Sequence, residues 1–286
     1  MTDFSLIERR ENTENKTVKA CEGETIMKKK IIGACMAFAV LISSLPIGSF
    51  AAEDTAKNFY IKKNGNKTPI LSSDLALIQK YGALYIDTNK AKACEKVVYL
   101  TFDAGYENGN VEKTLDTLKE ENVTGAFFIL GHIIRSNGEL VRRMAEEGHA
   151  VCNHTENHKD MTTLTTEEMK ANLLRLEAEY EKCTGKKMER IFRFPEGRFS
   201  EQTLKTAKEL GYTTVFWSLA YADWDNENQP KPDAAKKLLT ENIHDGAIIL
   251  LHPTSGTNAE ILGDLIREWK ALGYRFGDIR DITVNS

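Results

Sequence analysis

His154 and His158 stand four residues apart in the run His154-Thr155-Glu156-Asn157-His158. Two imidazoles at that spacing can share one face of a helical turn and reach a single cation. The segment Gly148-His149-Ala150-Val151-Cys152-Asn153 before them reads as a short buried strand ending at the first histidine. Other reactive groups follow other apolar runs. They are Asp103 in Thr101-Phe102-Asp103-Ala104-Gly105, His132 after Gly131, Arg193 in Arg193-Phe194-Pro195-Glu196-Gly197-Arg198, Asp223 in Ala222-Asp223-Trp224, and His252 in Leu250-Leu251-His252-Pro253. Each alone has a bland reading: a capping acid, a packed imidazole, a solvated cation. Together, at five or six successive run ends, they point to one site able to hold a cation and move protons.

The elements that must position these groups begin at Lys96. Apolar runs at 96–102, 125–130, 149–153, 190–194, 212–218, 246–251 and 274–279 read as strands. Amphipathic stretches near 110–121, 138–147, 165–183, 200–210, 232–243 and 258–272 read as helices. Two open with capping boxes, Thr165-x-x-Glu168 and Thr257-x-x-Glu260. Gly148, Gly185, Gly211, Gly246 and Gly273 punctuate the helix-to-strand turns. Seven strands joined by helices imply a parallel α/β domain, either a barrel or a doubly wound sheet. In both, chemistry collects at the C-terminal ends of the strands.

With 286 residues, 41% apolar and 28% charged, the chain can bury one large core. A net charge of -4 argues against a nucleic-acid partner, which needs a basic patch. Met27-Lys28-Lys29-Lys30, the apolar run from Ile31 and Ser49-Phe50-Ala51-Ala52 read as a secretory signal peptide over 27–51. An uncleaved anchor is the alternative, since Ile31 to Ala52 is long enough to span. Cys35 lies too close to Lys30 to end a lipoprotein leader. Residues 1–26 read as an upstream extension, with translation expected to start at Met27; Glu22-Gly23-Glu24 can be encoded as a purine-rich ribosome-binding sequence.

Cleavage near Ala51 removes 7 of 38 basic and 6 of 42 acidic residues, leaving 31 against 36. It also leaves Cys94, Cys152 and Cys183, an odd number that argues against a disulfide framework, with Cys152 expected in the core. Residues 52–93 read as a polar N-terminal extension without chemistry of its own. A short helix is expected there from Leu75 to Tyr81, capped by Asp74.

The set TFDAG, HTENH, RFPEG, the Asp-Trp of AYADW, and LLH resembles the five motifs of the polysaccharide deacetylases, the NodB-homology family. The resemblance covers roughly residues 95–280, within a domain of 94–286. Tyr106-Glu107-Asn108-Gly109-Asn110, Phe216-Trp217-Ser218-Leu219-Ala220-Tyr221 and Thr257-Asn258-Ala259-Glu260-Ile261-Leu262 are similar, more narrowly, to the delta-lactam-biosynthetic de-N-acetylases. Those enzymes act on muramic acid in spore-cortex peptidoglycan. The resemblance implies an α/β fold, a distorted (β/α) barrel with about seven parallel strands.

It also implies roles. Asp103 is the general base, held ionised by Arg193, and His252 is the general acid, kept protonated by Asp223. His154 and His158 bind a divalent metal, zinc foremost. Trp224, Leu251 and Pro195 bind substrate, and Arg198 is the candidate anchor for the lactyl carboxylate of muramic acid. His132, His149 and His244 are expected to be structural. There is one departure: the family's TFDDG supplies a third metal ligand where this chain has Ala104, so the cation is expected to be loosely held.

The leading reading is an exported, monomeric, metal-assisted N-deacetylase of muramic acid in peptidoglycan glycan strands. It has no stable membrane insertion once the signal is removed. The alternatives are a broader deacetylase of N-acetylglucosamine polymers or O-acetyl esterase, and a catalytically silent glycan-binding protein.

Overall fold

The structure, a computed structural model, describes residues 54–283. The expected signal peptide (27–51) and upstream extension (1–26) lie outside the described residues. Seven strands form one sheet: β1 (Val97–Ala104), β2 (Ala126–Ile129), β3 (Ala150–Asn153), β4 (Glu189–Phe192), β5 (Thr213–Thr214), β6 (Ile248–Leu251) and β7 (Arg275–Phe276). The order is β5-β4-β3-β2-β1-β6, every pairing is parallel, and β7 joins the first residues of β1. Leu219 bridges in parallel to Ile249. That single bridge ties the chain beyond β5 to β6 and curls the sheet into a distorted barrel.

The expected strand 212–218 is regular over only two residues. Its continuation is shared between partners. Phe216 N–H donates to the Leu84 carbonyl, and Ser218 N–H to that of Ile248. Leu84 and Ile86 bridge to Val215 and Ala247, so the N-terminal extension fills the gap between β5 and β6.

Helices α1 (Asn110–Glu120), α2 (Gly131–Ser136), α3 (Gly138–Glu146), α4 (Thr166–Thr184), α5 (Glu201–Glu209), α6 (Pro232–Asn242) and α7 (Gly256–Ala271) connect the strands. The Thr165–Glu168 capping box forms as expected, and Ser200–Thr203 forms another on α5. The Thr257 box does not form. Ser255 caps α7 instead, accepting from Asn258 N–H, while the Thr257 hydroxyl donates to the Pro230 carbonyl. Asp74 falls inside a 3-10 turn (Ser73–Leu75), and the short helix Leu77–Lys80 starts from Ala76 without a side-chain cap.

Strand alternation separates two cores. Val97, Tyr99, Phe128, Ala150, Cys152, Ile191 and Ile248 face one another inside the barrel. Val98, Leu100, Phe102 and Ala104 face the other way, packing with Leu115, Val141, Leu265 and Trp269 of the helices. Among the described residues all three cysteines are free, and Cys152 is fully buried.

Candidate active site

The interior parity carries the chemistry. Above Val97 and Tyr99 on β1 come Thr101 and Asp103; above Ala150 and Cys152 comes His154; above Ile191 comes Arg193; above Ile248 and Leu250 comes His252. The barrel's apolar stack therefore ends in a polar layer at the C-terminal ends of the strands.

Arg193 organises that layer. It is fully buried, with its guanidinium carbon Cζ 4.0 Å from the centre of the Phe128 ring. Nε donates to the Val215 carbonyl at 3.0 Å, and Nη2 to Thr101 Oγ1 at 2.9 Å and the Phe216 carbonyl at 3.1 Å. Nη1 donates to Asp103 Oδ1 at 2.8 Å. A lysine could not satisfy this fan of acceptors. Burial pushes the Asp103 carboxyl up, but the neighbouring positive charge, Arg193 foremost, outweighs it and holds Asp103 below the usual carboxylate range.

The main-chain carbonyl of Arg193 lies 2.9 Å from His154 Nδ1. A carbonyl only accepts, so Nδ1 carries the proton and Nε2 presents a lone pair. That lone pair lies 3.5 Å from Asp103 Oδ2. Burial pushes the His154 pKa down to about 4, so the ring is neutral at pH 7.

His158 is not on a helical turn with His154. Thr155 (φ 77°) and His158 (φ 57°) take left-handed conformations in a loop. Side chains replace the helical ladder there: Asn153 Oδ1 accepts from Thr155 N–H, and Thr155 Oγ1 accepts from His158 N–H, both at 2.9 Å. The two rings still adjoin, with centroids 5.1 Å apart. Two adjoining imidazoles, that of His154 neutral with its lone pair fixed by a carbonyl, fit two ligands of a divalent cation. Among the described residues no group of three His, Cys, Asp or Glu side chains is placed to hold a metal ion. Ala104, at the family's third-ligand position, is fully buried and packs with the helix-facing core.

The second pair is His252 and Asp223. Asp223 is fully buried; its Oδ1 lies 2.7 Å from His252 Nδ1, and its Oδ2 accepts from the His252 main-chain N–H at 2.8 Å. Asn258 Nδ2 donates to the same Oδ2 at 2.5 Å and to the His252 carbonyl at 3.0 Å. Burial disfavours charge on His252, yet the hydrogen bond and charge of Asp223 hold its pKa above the ordinary imidazole value. Asn258 had no role in the sequence reading. Its place in the first turn of α7 follows from the Ser255 cap.

Asp103, His158, Trp224 and His252 line a cavity of about 710 Å³, in the range of small-molecule sites. They also line an adjoining lobe of about 190 Å³ that reaches His154. Trp224 is 65% exposed at its edge. Other expected substrate contacts lie elsewhere. Leu251 is fully buried in the helix-facing core, and Leu250, two residues before His252 and on its face, lines the cavity instead. Pro195 is buried at the start of a 3-10 turn (Pro195–Gly197), and Glu196 and Gly197 reach the lining. Gly197 has φ 65°, and a Cβ there would meet Trp217 at 2.8 Å, so the turn requires glycine.

Arg198 does not line the cavity. Its Nε pairs with Asp160 at 2.7 Å and its Nη1 donates to Asn58 at 3.3 Å. His132 is exposed beside Ser136, while His149 and His244 are buried and bonded to Gly125 N–H and Ser218 respectively. The extension also enters the site, because Phe59, Tyr60, Ile61 and Lys63 line the cavity. Residues Lys57–Asn58 pair antiparallel with Arg198–Phe199, and Asp54 accepts from Ser200 Oγ and Gln202 N–H at the start of α5. These anchors are long-range pairings without a local pattern, so the extension's own sequence does not announce its place at the site.

A buried Asp–Arg pair facing a His–Asp pair at the strand ends of a parallel barrel is the constellation of the polysaccharide deacetylases. The chain belongs to that family, whose profile matches residues 90–215, and it is a hydrolase of amide bonds. It is 42% identical over 246 residues to the peptidoglycan-N-acetylmuramic acid deacetylase PdaA of Bacillus subtilis, covering 85% of this chain and 92% of that protein. The structure of PdaA, a family 4 carbohydrate esterase, matches with a TM-score of 0.76 over 80% of this chain and 97% of that one. A peptidoglycan-N-acetylglucosamine deacetylase of Bacillus cereus is 31% identical over 193 residues, 66% of this chain and 88% of that one. The Bacillus anthracis protein BA3943, a pseudoenzyme of the same family, is 29% identical over 65% of each chain, with a TM-score of 0.59.

Proposed function

We propose that the protein removes the acetyl group from N-acetylmuramic acid in peptidoglycan glycan strands, outside the cytoplasm and with help from a divalent cation. One observation carries the reading: two titratable groups biased in opposite directions line one cavity. Arg193 favours the ionised form of Asp103, and Asp223 favours the protonated form of His252. Such a pair matches the two proton transfers of amide hydrolysis. Asp103 accepts the proton of the attacking water, and His252 donates one to the departing amine as the C–N bond breaks. His154 and His158 would hold the cation, zinc foremost. When bound, it polarises the acetyl carbonyl and acidifies the water.

The similarity to PdaA over nearly its whole length supports muramic acid as the substrate sugar. Deacetylation there leaves an amine beside the lactyl carboxylate, the two groups from which a muramic delta-lactam of spore cortex is made. The Bacillus cereus relative favours a second reading, N-acetylglucosamine as the acetyl donor. A silent glycan-binding protein has no use for an acid–base pair.

The test is acetate release from peptide-stripped glycan strands, followed by mapping which sugar carries the free amine. Free amine on muramic acid is expected. Free amine on glucosamine alone favours the second reading, and no acetate with added zinc refutes both.

A further inference from the structure

We propose that Lys63 receives the lactyl carboxylate of the substrate and makes the cavity prefer an acidic N-acetyl sugar; this rests on the muramic acid reading above. With Arg198 committed to Asp160 and Asn58, the cavity needs another group to tell muramic acid from N-acetylglucosamine. The two sugars differ by one lactyl ether, and its carboxylate is the only charge that separates them.

The charges lining the cavity narrow the choice. Asp103 is a carboxylate already paired with Arg193, and Glu196 is a second carboxylate; both repel an anion. His252 is engaged with Asp223 at 2.7 Å. Lys63 is the one lysine or arginine among the lining residues. Among the described residues its ammonium has no ion-pair or hydrogen-bond partner, whereas the Arg198 guanidinium beside the cavity is held by Asp160 and Asn58.

Its backbone is fixed as well. Lys62 bridges antiparallel to Ile70, Asn64 bridges to Asn66, and Phe59 stacks on Phe216 with centroids 4.4 Å apart. Lys63 is therefore an unpaired cation carried on an anchored segment at the mouth of the acid–base cavity. Burial lowers its pKa, as expected for an ammonium partly withdrawn from water without a counter-ion. A substrate carboxylate would supply that counter-ion.

The experiment compares the full-length enzyme with Lys63→Met and Lys63→Arg on two substrates. One is peptide-stripped glycan strands; the other is the same strands with the lactyl carboxylates converted to amides. On native strands Lys63→Met should raise KM roughly two- to fivefold, the range of an exposed charge pair. kcat should stay within about twofold, and Lys63→Arg should recover most of the loss. On amidated strands wild type and Lys63→Met should coincide. An equal loss on both substrates, or no loss on native strands, overturns the proposal. Failure of the underlying reading shows separately, in the wild type: if it forms no free amine on muramic acid, both ideas fall before any variant is compared.

Discussion

Asp223→Asn removes a charge while keeping the side chain's shape, and the structure says why the shape is insufficient. Oδ1 faces His252 Nδ1 at 2.7 Å, and Oδ2 accepts two N–H groups, from the His252 main chain and from Asn258. Only a carboxylate accepts on both sides. An asparagine must turn its NH₂ either to the imidazole N–H or to those two donors. The variant therefore loses at least one buried charge-assisted hydrogen bond, about 1.5–3 kcal/mol. If that loss falls on the transition state, kcat/KM at neutral pH drops roughly 10- to 150-fold.

The pH dependence is sharper still. In wild type Asp223 raises the His252 pKa against the opposing effect of burial. With the carboxylate gone burial dominates, so the alkaline limb of the kcat/KM profile should move to lower pH. The sign for stability follows from the same shift. A raised imidazole pKa contributes stability that is complete below the unfolded value of about 6.5 and is lost as pH rises through the folded pKa. The variant should therefore lose more thermal stability relative to wild type at pH 5 than at pH 9. Acetate release across pH 5–10 and melting curves at the two ends read both effects. An unmoved alkaline limb with unchanged kcat/KM would refute His252 as the general acid.

Asp103→Asn should lower acetate release roughly 10²–10⁴-fold, because an amide cannot take the water's proton. It should also lower the melting temperature, since Arg193 is fully buried and keeps only its neutral acceptors; a wild-type turnover number would sink the base assignment. The acid limb of the wild-type profile should lie below the usual carboxylate range, because Asp103 is held there, and a limb near pH 6 would contradict it. Dialysis against chelator should remove most activity and added zinc should restore it; full activity in metal-free protein would mean that His154 and His158 bind substrate. Arg198→Ala should leave the preference between muramic acid and N-acetylglucosamine unchanged, and a selective loss on muramic acid would restore its candidacy as carboxylate anchor.

Much of the barrel was legible because its signals are local. The strand runs and helix periods appear within a few residues of their expected ends, and the glycines of the helix-to-strand turns take positive φ, for example 88° at Gly148 and 81° at Gly211. What escaped is non-local. Strand β5 is short because Leu84, more than a hundred residues earlier, takes over its hydrogen bonds. The cap of α7 moved to Ser255 because the Thr257 hydroxyl is drawn to Pro230, a contact that no helix template contains. The four-residue spacing of the histidine pair suits a helical turn, whereas Asn153 and Thr155 hold it in a loop.

One misplacement was avoidable on the sequence alone. A strand's side chains alternate, so a catalytic residue fixes the face of every second residue before it. If Asp103 faces the barrel interior, Thr101 does too and Ala104 does not; if His252 faces it, Leu250 does and Leu251 does not. Thr101 indeed meets Arg193, Leu250 lines the cavity, and Ala104 and Leu251 pack under the helices. The same rule explains how a chemical layer can sit on an apolar barrel. Its members extend the interior rows of Val97, Ala150, Ile191 and Ile248, so the residues that fill the core also aim the polar ones above them. Substitutions that shift a strand by one residue should therefore abolish the site before they unfold the barrel, since parity is lost at once while hydrophobic content is kept.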